Sequence, residues 1–529
     1  MYTVLIKDGE VFDGTGREAF RADIALQGDR IAAIGPEIME PAELVIDAGG
    51  LAVAPGFIDI HTHTDATIFS CPLSTSKLLQ GVTSEVIGNC GVGAFPVNPK
   101  YKGELLEYLK IHGFSFPSQG ITWKDLAGYT AALAELALGP NLLPLVAHGA
   151  LRGAVVGFGN QKPTATMQAR MEQLLAAALE QGAWGLSAGL IYPPGSFADT
   201  EELIGLARVV KDYDGIFSLH IRGESQSLRQ SLEEAIRIAG ESGARVQVSH
   251  LKAMGRPQWG MGRECLARLQ QARAAGIDIG ADQYPYAASS TSLTALVPQW
   301  AHSGGVGQLL QRLADPELVG RIKEEIAREI SLRGGPERIK ITGVASWPTA
   351  DMVVGKTLDQ IAAAWKLSPA AAVVRLLQEE KGVVNAVYFS MEEEDVKTIL
   401  ASENVGVGSD GSGMAREKGK TTHPRSFGTF PRVIGPCVRE GVLTLALAVY
   451  KMTGLNARRL GLKDRGLLRP GFAADLTLFD PATVCDRADF SDPQQYPAGI
   501  EYVLVNGRLA VCRGALTGVA AGRVLLKKP

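Results

Sequence analysis

Ile216-Phe217-Ser218-Leu219-His220 and, one helical stretch later, Val246-Gln247-Val248-Ser249-His250 decide how this chain folds. Each is a short, mostly apolar run closing on a histidine. Each precedes a segment whose apolar residues recur at helical spacing, 225–242 after the first and 263–275 after the second. A further run at 277–282 closes on Asp282. Buried strands joined by helices of this length are parallel neighbours, because a parallel pair needs a crossover of about a dozen residues or more.

Outward from this core the pattern repeats. Residues 142–147, a helix at 167–181 and a run at 184–187 lie upstream, and Gly81-Val82-Thr83 and the 56–60 run lie before them. The last such run, Val405-Gly406-Val407, ends in Gly408-Ser409-Asp410-Gly411. Alternation over some 370 residues fits either a closed (β/α)₈ barrel or an open doubly wound sheet. The polar residues favour the barrel: His61, His63, His220, His250 and Asp410 all stand at or just past the carboxyl ends of strand-like runs, where barrel enzymes keep their chemistry. Residues 300–350 break the alternation with a Gly-rich stretch and a long charged helix at 316–332. They read as an insertion of about 287–350 beside the barrel mouth.

Both ends of the chain read as β. Residues 1–55 alternate in short strands between Gly and Pro turns, and the tail carries strand-like runs at 474–479 and 500–505, the second before an Asn506-Gly507 hairpin signal. Three parts are expected: 1–55 as one portion of a small β-sandwich, 56–425 as the barrel with its insertion, and 426–529 as closing helices plus the rest of the sandwich.

Bulk composition narrows function by exclusion. A net charge of −3 over 529 residues gives no electrostatic reason to expect nucleic acid or an anionic membrane, so the partner expected is a small molecule. Six cysteines without a Cys-x-x-Cys spacing read as reduced thiols and point to the cytoplasm. The first fourteen residues form a strand and turn instead of a signal peptide.

The chemistry concentrates in Gly56-Phe57-Ile58-Asp59-Ile60-His61-Thr62-His63-Thr64-Asp65. Two residues apart on a strand, His61 and His63 face the same side and can reach one cation. Gly88-Asn89-Cys90-Gly91 offers a thiol among glycines; next to a divalent cation it would be a soft thiolate ligand, and otherwise an inert buried cysteine. His220 and His250, one βα unit apart, add imidazoles facing the same mouth. Asp410 can touch a metal and take a proton from a water that the metal acidifies, or it can cap the next turn.

This constellation resembles the amidohydrolase superfamily and, within it, the N-acyl-D-amino-acid deacylases or D-aminoacylases. The residues carrying the likeness are Val53-Ala54-Pro55-Gly56-Phe57-Ile58-Asp59 into His-Thr-His, Gly81-Val82-Thr83 through Gly88-Asn89-Cys90-Gly91, His220-Ile221-Arg222-Gly223-Glu224, Val248-Ser249-His250-Leu251-Lys252, Asp282-Gln283-Tyr284-Pro285-Tyr286, Gly408-Ser409-Asp410-Gly411, and the 466–476 tail segment. The resemblance implies a zinc enzyme in which Cys90, His220 and His250 hold a tight ion and His61, His63 and Asp410 a weaker second position. It implies Asp410 as the base in amide hydrolysis, yielding a carboxylate and a D-amino acid. Relatives of the hydantoinase and dihydroorotase type bridge two metals with a carboxylated lysine, and the Gly185-Leu186-Ser187-Ala188-Gly189 run has none. Deaminase relatives use His-x-x-Glu, whereas Glu224 follows His220 by four. Cyclic-amide and isoaspartyl-dipeptide hydrolysis, and a non-catalytic scaffold, stand as the alternatives.

The resemblance further points to Arg425, Lys252, Tyr284, Tyr192 and Ser290 as the residues that bind the substrate α-carboxylate, Arg425 foremost because a guanidinium grips a carboxylate with two parallel hydrogen bonds. Residues 289–297 contain no basic side chain of the kind expected in members acting on acidic substrates. Thr291, Leu293, Ala295, Leu296 and Val297 therefore suggest a neutral or hydrophobic side-chain pocket. His148 is expected either at the same mouth or bonded to backbone.

Overall fold

A computed structural model describes residues 1–346, 349–418 and 421–528; the expected insertion, barrel and tail segments include 347–348, 419–420 and 529, which lie outside the described residues. The alternating apolar runs become parallel strands, numbered here β1 (Phe57–Asp59), β2 (Val82–Ile87), β3 (Asn141–Pro144, resumed at Val146–Ala147), β4 (Gly185–Gly189), β5 (Ile216–His220), β6 (Arg245–Val248), β7 (Ile279–Gln283) and β8 (Val405–Val407). Every neighbouring pair from β1 to β8 is parallel. The sheet closes between its first and last strands. Asp410 N donates to His61 O at 2.8 Å, His63 N donates to Gly411 O at 3.1 Å, and the Asn456 amide donates to Ile58 O and Val407 O from the last helix before the tail. An eight-stranded parallel barrel is thus observed, and the open-sheet alternative falls.

Helices such as Ala165–Glu180, Thr200–Asp212 and Leu228–Ser242 return the chain between strands, their apolar faces buried on the barrel wall through Leu175, Leu203 and Leu232. Removing one such leucine side chain costs roughly 2–5 kcal/mol, because the packed surroundings cannot close the hole. The chain ends meet as the sequence suggested. Residues Ala52–Pro55 pair antiparallel with Leu476–Phe479, joining five N-terminal and four C-terminal strands into one nine-stranded sheet over Ile6, Ile24, Val53, Leu476 and Leu504.

Between β7 and β8 stands the inserted unit, and it extends beyond 350. Its antiparallel sheet pairs Ser289–Ser292 and Ile339–Val344 with a central strand, Val384–Tyr388. Helices Val319–Leu332 and Pro369–Glu379 pack on it through Ile322, Ile326, Val373 and Leu377. The expected end near 350 stopped at the sheet's second strand, whereas burial is completed only by the third. Among the described residues no helix is long and apolar enough to cross a membrane.

Candidate active site at the barrel mouth

The carboxyl ends of the strands open into a cavity of about 1140 Å³, roofed in part by the insertion. His61 and His63 follow β1, Cys90 follows β2, His220 ends β5, His250 follows β6 and Asp410 follows β8. The backbone bends sharply to aim three of them: Cys90, His250 and Asp410 have φ of 54°, 37° and 52°. Such left-handed backbone costs an L-residue on the order of 1 kcal/mol, and it recurs where function requires it. Glycine makes the Cys90 turn possible, since a Cβ at Gly189 would lie 2.0 Å from Cys90 O. On β4, Ser187 braces the same turn, accepting from Gly91 N at 3.0 Å and donating to Gly88 O.

The ligand atoms of His61, Cys90, His250 and Asp410 lie within 4.8 Å of one another, and so do those of His220, Glu224 and His250. His61 Nε2 is 3.2 Å from Cys90 Sγ and 3.5 Å from Asp410 Oδ1; His250 Nε2 is 3.4 Å from the same sulfur; His63 Nε2 is 3.1 Å from Asp410 Oδ1. Burial alone would raise the Cys90 thiol, but the rings of His61 and His250 outweigh it and hold the thiol well below its usual value. Burial likewise opposes the Asp410 carboxylate, and Arg425 and His250 overcome it, keeping the group ionised. His220 differs. Burial lowers its pKa, leaving a neutral imidazole, and neither of its ring nitrogens makes a hydrogen bond. A buried polar ring without a partner is costly unless something binds it. A thiolate, imidazoles and a carboxylate converging from strand ends form a donor set that fits zinc.

The residues expected to bind substrate are also placed. Arg425 Nη1 lies 2.8 Å from Asp410 Oδ2, without the alignment of a hydrogen bond, while Nη2 donates to Ser290 O at 3.1 Å. The Arg425 guanidinium sits over the Tyr284 ring at 4.9 Å. The Tyr192 hydroxyl meets Thr291 Oγ1 at 2.8 Å, and its ring packs edge-on to His220. Lys252 is tied down, with Nζ 2.5 Å from Glu224 Oε1 and 2.7 Å from His250 Nδ1. His148 is the exception. It is not among the residues lining the cavity; its Nε2 is held at 2.8 Å by Glu202, a buried carboxylate shared with Arg152. The partner is a side chain and not the backbone, because the helix beginning at His148 turns the ring towards the Thr200–Asp212 helix.

Two further carboxylates meet the candidate ligands. Asp282 Oδ1 lies 3.2 Å from His61 Nδ1 and accepts from His250 N at 2.8 Å, so one carboxylate braces candidate ligands from both sides of the mouth. Asp282 is the last-but-one residue of β7, and the apolar run that leads into it was the available signal. Glu224 Oε1 lies 3.1 Å from His250 Nδ1 and 3.7 Å from His220 Nε2. Burial would raise its pKa, but Lys252 and the two histidines hold it low. A carboxylate behind a ligating histidine fixes the tautomer and leaves the other nitrogen free for metal.

The amidohydrolase family profile matches residues 44–511. The chain belongs to the amidohydrolase family. N-acyl-D-glutamate deacylase of Alcaligenes xylosoxydans xylosoxydans is 38% identical over 523 residues, spanning 99% of this chain and 96% of the relative. D-aminoacylase of the same organism is 37% identical over 530 residues, spanning 99% and 98%. The crystal structure of N-acyl-D-glutamate deacylase from Bordetella bronchiseptica, complexed with zinc and a phosphonate mimic of the tetrahedral intermediate, matches with a TM-score of 0.84 at 36% identity over 99% of both chains. The family likeness read from the motifs is borne out along the whole length of this amidohydrolase, barrel and terminal sheet alike.

Proposed function

We propose that this amidohydrolase is a zinc-dependent deacylase that hydrolyses the amide bond of N-acyl-D-amino acids, small-molecule substrates with neutral or hydrophobic side chains. The observation that carries the reading is the juxtaposition at the mouth of a complete donor set, a carboxylate base and a guanidinium. Cys90, His220 and His250 would hold the tighter zinc, and His61, His63 and Asp410 a weaker second ion. Zinc in such a site supplies Lewis-acid polarisation of the amide carbonyl and lowers the pKa of water.

The chain's own groups then have defined tasks. Asp410 accepts the proton of the attacking water and returns it to the nitrogen of the departing amine. His63, 3.1 Å from Asp410 Oδ1, orients that carboxylate. The substrate α-carboxylate binds Arg425, whose buried Nη1 makes no aligned hydrogen bond, and Ser290 O and the Tyr284 ring hold the guanidinium in place. Lys252 is already engaged by Glu224, so it supports the site from behind His250. The absence of lysine on β4, where Ser187 braces the Cys90 turn, weighs against the carbamate-bridged cyclic-amide hydrolases. The relatives named above act on N-acyl-D-amino acids, and the two sequences are almost equally similar, so likeness alone does not choose a side chain.

The test is hydrolysis of N-acetyl-D-methionine and N-acetyl-L-methionine by zinc-loaded protein. Activity on the D form alone, lost in Cys90→Ala and Asp410→Asn, is the expected result. A zinc-loaded protein inactive on both redirects the reading to hydantoins and isoaspartyl dipeptides.

A further inference from the structure

The deacylase reading leaves open how the site senses a substrate side chain, and the inserted unit contributes a charge there that residues 289–297 lack. The strand Ser289–Ser292 runs along the cavity and is tied to its chemistry. Ser290 O accepts from Arg425, Thr291 meets Tyr192 beside His220, and Ser292 O accepts from the Tyr388 hydroxyl at 3.3 Å. Just past this strand, Ala295 O lies 3.5 Å from Nη2 of Arg333, whose guanidinium stacks 4.6 Å over the Tyr388 ring. Ala295, Glu329 and Arg333 all line the cavity. A basic group thus reaches the substrate wall from a different element, the end of helix Val319–Leu332.

Arg333 is accompanied by an acid. Glu329 Oε1 lies 2.8 Å from Arg333 Nε, a single contact to a fork that can hold a carboxylate by two bonds. The same helix carries a second pair at the same spacing, Arg321 with Glu325, in which the arginine is 65% exposed and the glutamate 28%. Arg333 is only 11% exposed while Glu329 is 32% exposed, so here the cation is sunk in the wall and the anion stands nearer the water. Burial works against the Arg333 charge, and Glu329, Tyr388 and Glu224 in the active site outweigh it and keep the guanidinium protonated. A buried guanidinium requires a carboxylate, and among the described residues the one paired with it is Glu329.

We propose that Glu329 and Arg333 together set side-chain selectivity: Glu329 neutralises Arg333 and repels acidic substrates, so the subsite takes neutral side chains, and removing that carboxylate opens it to N-acyl-D-glutamate. The proposal rests on the deacylase reading. Like charges brought together at a binding site discriminate strongly between ligands, and a guanidinium stripped of its partner gains most from a carboxylate that the substrate brings.

The experiment compares kcat/KM for N-acetyl-D-glutamate and N-acetyl-D-methionine in zinc-loaded wild type, E329Q, R333M and the E329Q/R333M double variant. E329Q is expected to raise the glutamate-to-methionine ratio at least about tenfold, mainly through KM for the glutamate substrate, and the double variant to lose that gain. R333M, which leaves Glu329 unneutralised, is expected to lower the ratio, and it carries the test if E329Q does not fold by circular dichroism. A ratio unmoved in E329Q or R333M, or a gain that survives in the double variant, overturns the proposal while leaving the deacylase reading intact. Wild type inactive on both substrates overturns that reading and this proposal with it.

Discussion

On the side of β1, β2 and β8 the candidate ligands already pair with one another, whereas on the side of β5 the ring nitrogens of one of them, His220, have no hydrogen-bond partner. His61 Nε2 lies 3.2 Å from Cys90 Sγ and 3.5 Å from Asp410 Oδ1, and Asp59 braces this side from below by accepting from His61 N, Ser409 N and the Lys77 ammonium. His220 has two unbonded ring nitrogens, and the nearest anion of its own loop, Glu224, is 3.7 Å away. The first half is held by its own charges, anion against cation. The second presents a neutral ring whose lone pair has no internal use. A site built this way should depend unequally on its two halves for metal.

Breaking the β5 side should therefore have the largest effect. His220→Ala is expected to lose the tight zinc and to lower kcat/KM on the order of 10³-fold, while His61→Ala keeps one zinc per chain and loses less activity. Metal analysis after exhaustive dialysis, alongside kcat/KM, decides between them. Equal zinc loss in both variants would mean that the apparent asymmetry has no bearing on binding.

A smaller effect sharpens the contrast from behind the ligands. Glu224→Gln keeps the shape but removes the charge that sets the His250 tautomer and anchors Lys252. Zinc affinity, measured by competition with a chromophoric chelator, should fall roughly 10- to 100-fold. Affinity equal to wild type would show that Glu224 only balances the Lys252 charge.

How much of this was legible in sequence depended on whether a residue's task was local. Strand-end histidines announce themselves, because an apolar run that stops at a polar residue fixes both the strand and the direction of the side chain, and His61, His63, His220 and His250 were all visible this way. Cys90 and Asp410 were visible through the glycines that permit their turns. Asp282 ends an apolar run as plainly, but its partners, His61 and the backbone of His250, follow strands far apart in sequence. His148 shows the reverse error. It follows a strand, yet a helix starts on it and turns it to Glu202, a partner 54 residues away that periodicity cannot supply. The inserted unit was cut short at about 350 for the same reason, since its central strand, Val384–Tyr388, comes last in the chain and only pairing shows that it belongs.

The braced half carries a cost that titration should expose. Glu85, buried beneath it beside Lys77 and Thr64, is pushed up to about 7 by burial, which Lys77 only partly offsets. Asp65 nearby is also raised to about 7 by burial, against the pull of His63. The folded chain therefore keeps protons on these carboxyls that the unfolded chain has released. Their contribution to stability is full below about pH 4, falls as pH rises towards about 7, and is gone above it. Glu85→Gln removes one of the two titrations, so the decline in Tm between about pH 4 and 7 should shrink but persist, a difference on the order of 3 kcal/mol and a few degrees at most. A decline as steep as that of wild type would mean that Glu85 is ionised in the folded chain, with Lys77 fully balancing it; the brace under His61 and Asp410 would then be a closed ion cluster with no proton to lose.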